Sequence, residues 1–152
     1  MTDVSVEALC ERALAGSNRA QHFGPQAPDH VLEAERLLGV SFPSDYRQFV
    51  TLLGSLVIGP YEIKGVTPDH TDPRPPGVIG ATVSARQSWP LAERYLPIYF
   101  DGGVDYYVLD SRLESPAVEI WRPGGTRDGD VLEVAHVSFA AFLHWVLISA
   151  GA

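Results

Sequence analysis

The hydrophobic period of this chain changes near Gly54, and that change restricts the fold more than any other feature. Before it, apolar residues recur at helical spacing. Val6, Leu9, Cys10, Ala13 and Leu14 predict a helix over Val4–Leu14, with Gly16 able to end it. Residues Ser17–Ala27 are polar with Gly and Pro, and read as a loop. Pro28 opens a second helix, favoured by Asp29 and Glu33 near its start and stopped by Gly39. Val31, Leu32, Leu37 and Leu38 are its expected apolar residues. After the extended link Val40–Pro43, Tyr46, Phe49, Val50 and Leu53 fall at i, i+3, i+4 and i+7, one face of a third helix.

Beyond Gly54 the period is two. Leu56–Ile58 and Tyr61–Val66 read as strands joined at Gly59-Pro60. Four prolines between Pro68 and Gly77 make a loop, and Val78–Ser88 suits a helix better than a strand. Leu96–Phe100 and Val104–Asp110 are strands flanking Asp101-Gly102-Gly103, where glycine supplies the positive φ of a hairpin turn. Strands at Ala117–Trp121 and Val131–Val137 follow, separated by the polar loop Pro123–Asp130. Ser138 caps a last helix with Phe139, Phe142, Leu143, Val146 and Leu147 on one face. Helices, then mainly antiparallel strands, then a closing helix make an α+β fold. The strand–helix alternation of a doubly wound sheet is absent. The 152 residues fit a single domain whose folding buries roughly 68–70% of the open chain's surface.

Charge narrows the function. Eleven basic residues (ten Arg and Lys64) against 19 acidic give a formal charge of −8 and a pI near 4.9. That balance argues against direct nucleic-acid binding and against anionic membrane surfaces. A single cysteine, Cys10, forms no internal disulfide, which fits a reducing compartment. The residues after Met1 lack the basic and apolar regions of a secretory signal, and Phe139–Ala150 is short of the roughly 20 residues of a membrane span. A cytoplasmic protein is expected.

No catalytic signature stands out. Cys10 lies on the apolar face of its helix and reads as a small buried hydrophobe rather than a nucleophile. His22, His30, His70, His136 and His144 lack the i, i+4 pairing of a helical zinc site. Asp69-His70-Thr71-Asp72 gathers potential ligands, but in a proline-rich loop that reads as solvated. Neither a Walker-type loop around Lys64 nor Gly-x-Ser-x-Gly is present. No catalytic residue, metal site or cofactor is therefore expected. The rival enzyme reading, a metal-dependent site, centres on Asp101, Asp105 and His70.

Three blocks, in order, resemble the SMI1/KNR4 family, also called the SUKH superfamily. The first runs from Val31 to Phe49, with an acidic helix, a Leu38-Gly39 step, Pro43, then Tyr46 and Phe49. The second is Leu96-Pro97-Ile98 leading into Asp101-Gly102-Gly103-Val104-Asp105-Tyr106-Tyr107-Val108-Leu109-Asp110, similar to the family's Gly-Asp hairpin. The third is Ser138-Phe139-Ala140-Ala141-Phe142-Leu143, similar to its closing helix. Val104 departs from the pattern, since the family usually has Gly directly before the hairpin Asp. The resemblance implies an α+β fold and, in bacteria, an immunity protein that binds and neutralises a cognate polymorphic-toxin domain. It brings no fixed catalytic set. A regulatory or scaffold module without toxin inhibition is the alternative.

Many toxin domains act on nucleic acid through basic sites, so an acidic inhibitor can steer its own encounter with them. Asp101, Asp105, Glu119, Asp128 and Asp130 are the candidate acidic patch, with Asp110 nearby in sequence. Structural or solvated roles compete for each. Trp89, Tyr99, Tyr107 and Trp121 are candidate anchors, with core packing as the competing reading. Alternation places Val118 and Ile120 on one face of their strand, so Glu119 and Trp121 are expected to face outward together.

Overall fold

The computed structural model describes residues 4–16, 20–72, 74, 76–89, 91–123 and 133–151. Among these described residues, five helices and seven strands form in the order α1 (Val6–Gly16), β1 (Gln21–His22), α2 (Pro28–Leu38), α3 (Ser44–Leu53), β2 (Leu56–Ile58), β3 (Tyr61–Ile63), α4 (Val78–Ser88), β4 (Tyr95–Phe100), β5 (Tyr106–Asp110), β6 (Val118–Trp121), β7 (Glu133–His136) and α5 (Phe139–Ser149). All strand pairs are antiparallel, in a small sheet β1-β2-β3 and a four-stranded meander β4-β5-β6-β7. The fold is α+β, as the period change requires.

The helices form where their caps and stripes permit. Ser5 Oγ accepts from the Ala8 N–H at 3.1 Å, and Ser138 Oγ from the Ala141 N–H at 3.0 Å. Gly39 ends α2 with φ 70°, a left-handed conformation that costs glycine little. Tyr46, Phe49, Val50 and Leu53 of α3 are all buried, and so are Phe139, Phe142, Leu143, Val146 and Leu147 of α5. α2 corrects its apolar pattern. Val31 and Leu38 enter the core, but Leu32 and Leu37 are more than half exposed, and Ala34 and Glu35 complete the buried face. Buried Glu35 is satisfied locally. Its carboxylate accepts from the Phe42 N–H at 2.5 Å and from Arg47 at 2.6 and 2.5 Å, tying α2 to α3 across the Val40–Pro43 link.

The main core joins α1, α2, α3 and α5 to β2, β3 and one face of the meander. The meander's other face has its own cluster, in which Val108 and Trp121 pack with Tyr95, Leu91 and Ala85 of α4. A register shift between Pro97 and Tyr99 lets consecutive Ile98 and Tyr99 both reach the main core. The polar stretch before α2 also contains the two-residue strand β1, and the hairpin loop runs through Val104, so the return strand begins at Tyr106.

One crossing fixes the centre of the molecule. After β3 the chain leaves the small sheet. The Lys64 N–H donates to the Ile98 carbonyl at 2.8 Å, and the Gly65 N–H to the Pro76 carbonyl at 2.8 Å. The Val78 N–H donates to the Gly65 carbonyl at 2.8 Å. This stitch holds residue 64 beside β4 and residue 65 beside the start of α4. A side chain at position 65 would collide with the Gly54 carbonyl, so the two backbones can cross here only with glycine.

Candidate functional site

The β4–β5 hairpin is built by Asp101. Its N–H donates to the Asp105 carbonyl at 3.1 Å, and its Oδ1 accepts from the N–H groups of Gly103 at 2.8 Å and Asp105 at 3.2 Å. Gly102 supplies the positive φ of 86°. Asp105 is occupied by Arg122, which donates to its two oxygens at 2.8 and 3.3 Å. Val104 is exposed at the tip.

Among the described residues, the acidic candidates Asp101, Asp105 and Asp110 are committed to separate local partners. Asp110 ends β5, five residues or roughly 17 Å of strand from Asp105. It is buried and tied to Arg112 at 2.9 Å, with Arg94 nearby. Burial pushes its carboxyl up, but the hydrogen bonds and charge of Arg112, with Arg94, outweigh this and leave it below the ordinary range. Glu119 stands opposite Val108 and is half-buried. Burial first, then the Asp110 charge, raises its pKa. Asp128 and Asp130 lie outside the described residues.

The aromatic candidates separate by face. The expectation of an outward Trp121 is overturned, since that ring is 2% exposed. The alternation along β6 is as expected, but the second face of the sheet is covered by α4 and Leu91 instead of solvent. Trp121 instead supports Tyr106 from beneath, ring centroids 5.5 Å apart. Tyr107 points the other way, half-buried against Tyr99, Phe142 and His136. Burial, then the charges of Asp101 and Asp105, raises its pKa. Tyr99 is buried in the main core. Trp89 alone among these four is open, 52% exposed just past the end of α4.

Trp89 borders a cleft of about 210 Å³ beneath the hairpin. Phe100 and Tyr106, the residues flanking the Asp101–Asp105 loop, line it, with ring centroids 4.6 Å apart. Phe100 is 39% exposed. The wall is α4, where Gly80, Ala81 and Ser84 present little side chain. Lys64 lies at the floor, its side chain only 10% exposed. Of the sequence candidates only Trp89 is among the described residues lining the cleft, joined there by Phe100, Tyr106 and Lys64; Asp101 and Asp105 belong to the loop between Phe100 and Tyr106. The signal for Lys64 was its being the one lysine in the chain, set between buried Ile63 and Gly65-Val66. Phe100 and Tyr106 were signalled only by bracketing the hairpin turn.

The other candidates form no site. His70 stacks on His30 with centroids 3.8 Å apart, its Nε2 3.0 Å from the His30 carbonyl. Among the described residues, no group of three or more His, Cys, Asp or Glu is placed to hold a metal ion, and no helix is long and apolar enough to cross a membrane.

Comparison with known proteins agrees with the fold. The family described as SMI1-KNR4 cell-wall, SUKH_5, matches residues 6–148. A crystal structure of a protein from Pseudomonas syringae pv. tomato superposes with a TM-score of 0.68 at 20% identity, covering 91% of this chain and 95% of that one. No curated protein matches the chain in sequence. With the family pattern spanning nearly all of the α+β fold just described, the chain belongs to the SMI1-KNR4 (SUKH) family.

Proposed function

We propose that this protein is a non-catalytic, immunity-type binding protein that neutralises a cognate bacterial toxin domain by direct contact, using the cleft and hairpin as its docking surface. The observation that carries the reading is the open aromatic rim. Trp89 and Phe100 stand exposed around a concavity, next to a charged hairpin whose geometry is fixed by its own hydrogen bonds. Apolar side chains clustered in water around a concavity are the kind of surface that interaction sites use, and Trp, Tyr and Arg dominate interface energetics. Family membership supports the same role, and nothing in it calls for a cofactor.

The test is titration calorimetry with the C-terminal domain of the large protein encoded beside this gene, at low and high salt. One-to-one nanomolar binding that abolishes the domain's activity is expected. Trp89→Ala and Phe100→Ala should each weaken binding by about 30-fold, the equivalent of a 2 kcal/mol hot spot, with the fold retained, although Phe100→Ala also loses about 0.5–1.5 kcal/mol of stability with its Tyr106 ring contact. Full affinity in both variants would remove the cleft from the interface. Binding without inhibition would replace neutralisation with a scaffold role.

A further inference from the structure

Among the described residues, Lys64 is the one charged residue lining the cleft, and its amine is left short of partners. An ammonium carries three donors. Among the described residues the Lys64 amine has one acceptor, Glu62 Oε2 at 3.4 Å, well beyond the roughly 2.7–2.9 Å of a good charge-assisted bond. The root of the side chain is fixed, because the Lys64 backbone is held on both sides. Its N–H donates to Ile98 and its carbonyl accepts from buried Tyr46 Oη at 2.6 Å. Burying a charge in this state is costly unless something completes its shell.

α4 flanks the cleft along its length, from Gly77 before the helix to Trp89 after it, and Gly77, Gly80 and Ala81 keep that wall low. An ammonium with one long acceptor favours an anion. Among the described residues no second basic side chain lines the cleft, which suits a single negative charge better than a dianion. The surrounding chemistry then selects the carrier, since the rings of Trp89, Phe100 and Tyr106 accept methylene groups.

We propose that the cleft is a receptor for one carboxylate, the Asp or Glu side chain of an exposed segment on the protein partner, which pairs with Lys64 while its methylenes lie between the aromatic rings. This rests on the reading that a protein partner docks here, and it names the chemistry by which that partner is recognised. It differs from recognition through the acidic candidates, because the specific contact at this site is basic.

The experiment uses the free chain, so its outcome is separate from that of the toxin titration. ¹H–¹⁵N spectra are followed at the Gly80 amide and the Trp89 indole during titration with N-acetyl-glutamate N-methylamide. The glutamine analogue and inorganic phosphate serve as comparison probes. Shifts at both positions with the glutamate probe are expected, at least tenfold weaker with the glutamine analogue and with Lys64→Met. Glu62→Gln, which removes the internal competitor, should tighten binding several-fold and keeps the test alive if Lys64→Met does not fold. Equal shifts with the glutamine analogue would overturn the proposal. So would tighter binding of phosphate, or a Glu62→Gln variant that binds no better than the parent chain.

Discussion

Gly65→Ala is the substitution whose cost the structure sets most directly. A Cβ there would lie against the Gly54 carbonyl, 2.8 Å from its carbon and 3.1 Å from the Ser55 Cα. Carbon atoms settle at about 3.5–4.0 Å, so the two backbones must part by roughly 1 Å. The Val66 N–H, donating to the Gly54 carbonyl at 2.9 Å, is then pulled past hydrogen-bonding range. Val66 is buried, and an orphaned donor costs about 1–3 kcal/mol. Overpacking adds about 1–3 kcal/mol, offset by about 0.4–1 kcal/mol from the stiffer unfolded chain. The net loss is about 3 kcal/mol. At about 2–4 °C per kcal/mol for a chain of this length, Tm should fall by roughly 6–12 °C. Gly39→Ala is the control, since it meets nothing within 4 Å and bears only the strain of φ 70°. That strain is about 1 kcal/mol, or a few degrees. Calorimetric unfolding of both variants decides the matter. A Gly65→Ala protein no less stable than Gly39→Ala would refute the close-crossing argument. It would also remove the reason Lys64 is held where it is.

Glu35→Ala should cost about 2–3 kcal/mol, read as a lower urea midpoint at unchanged m-value, because the buried Phe42 N–H loses its acceptor while half-exposed Arg47 can rehydrate. Burial pushes the Cys10 thiol up to about 12, so Ellman's reagent at pH 8 should label it only after denaturation, and rapid labelling of the native chain would contradict its placement. Stability should decline as pH falls below about 6.5. Burial, then the His30 charge, lowers the His70 pKa, and burial lowers that of His136, so the unfolded chain takes up protons there first. Urea midpoints at pH 7.5 and 5.5 measure the slope. His70→Gln should flatten it, since protonating the buried, unpartnered His70 Nδ1 creates a donor with no acceptor among the described residues.

Long one-face patterns were readable in the sequence because a helix packed on one side repeats its own geometry. Tyr46, Phe49, Val50 and Leu53 needed no knowledge of their neighbours. α2 was harder because it gains its second buried position through small Ala34 and a carboxylate. An apolar count passes over Glu35, whose partners Phe42 and Arg47 come 7 and 12 residues later. On β6 the period was read correctly and the conclusion for Trp121 failed. The residues that cover its face belong to α4 and to Leu91, and nothing within 118–121 signals a helix folded across that side. The cleft was invisible for the same reason. Its residues come from position 64, the α4 region and the hairpin, and only the Gly65 stitch brings them together.

The distribution of charge separates two tasks that the net value of −8 merges. Asp105 is held by Arg122, Asp110 by Arg112, and Asp101 spends its oxygen on its own loop. Glu119 is half-buried beside Asp110, which disfavours its charged form. The hairpin carboxylates are held by local partners yet keep a field that reaches Tyr107, so on the proposed docking the attraction of a basic partner is a sum over the whole molecule and acts on the rate of encounter. What holds a docked partner must be local, desolvated and shaped. Trp89, Phe100 and Tyr106 around Lys64 meet that description, whereas the hairpin aspartates do not. An acidic surface that gathers a partner and a basic, aromatic cleft that retains it are therefore compatible. If the proposed docking holds, the cleft is where one substitution would switch partner choice without disturbing the core, because Trp89 and Phe100 are exposed and α4 offers small side chains opposite them.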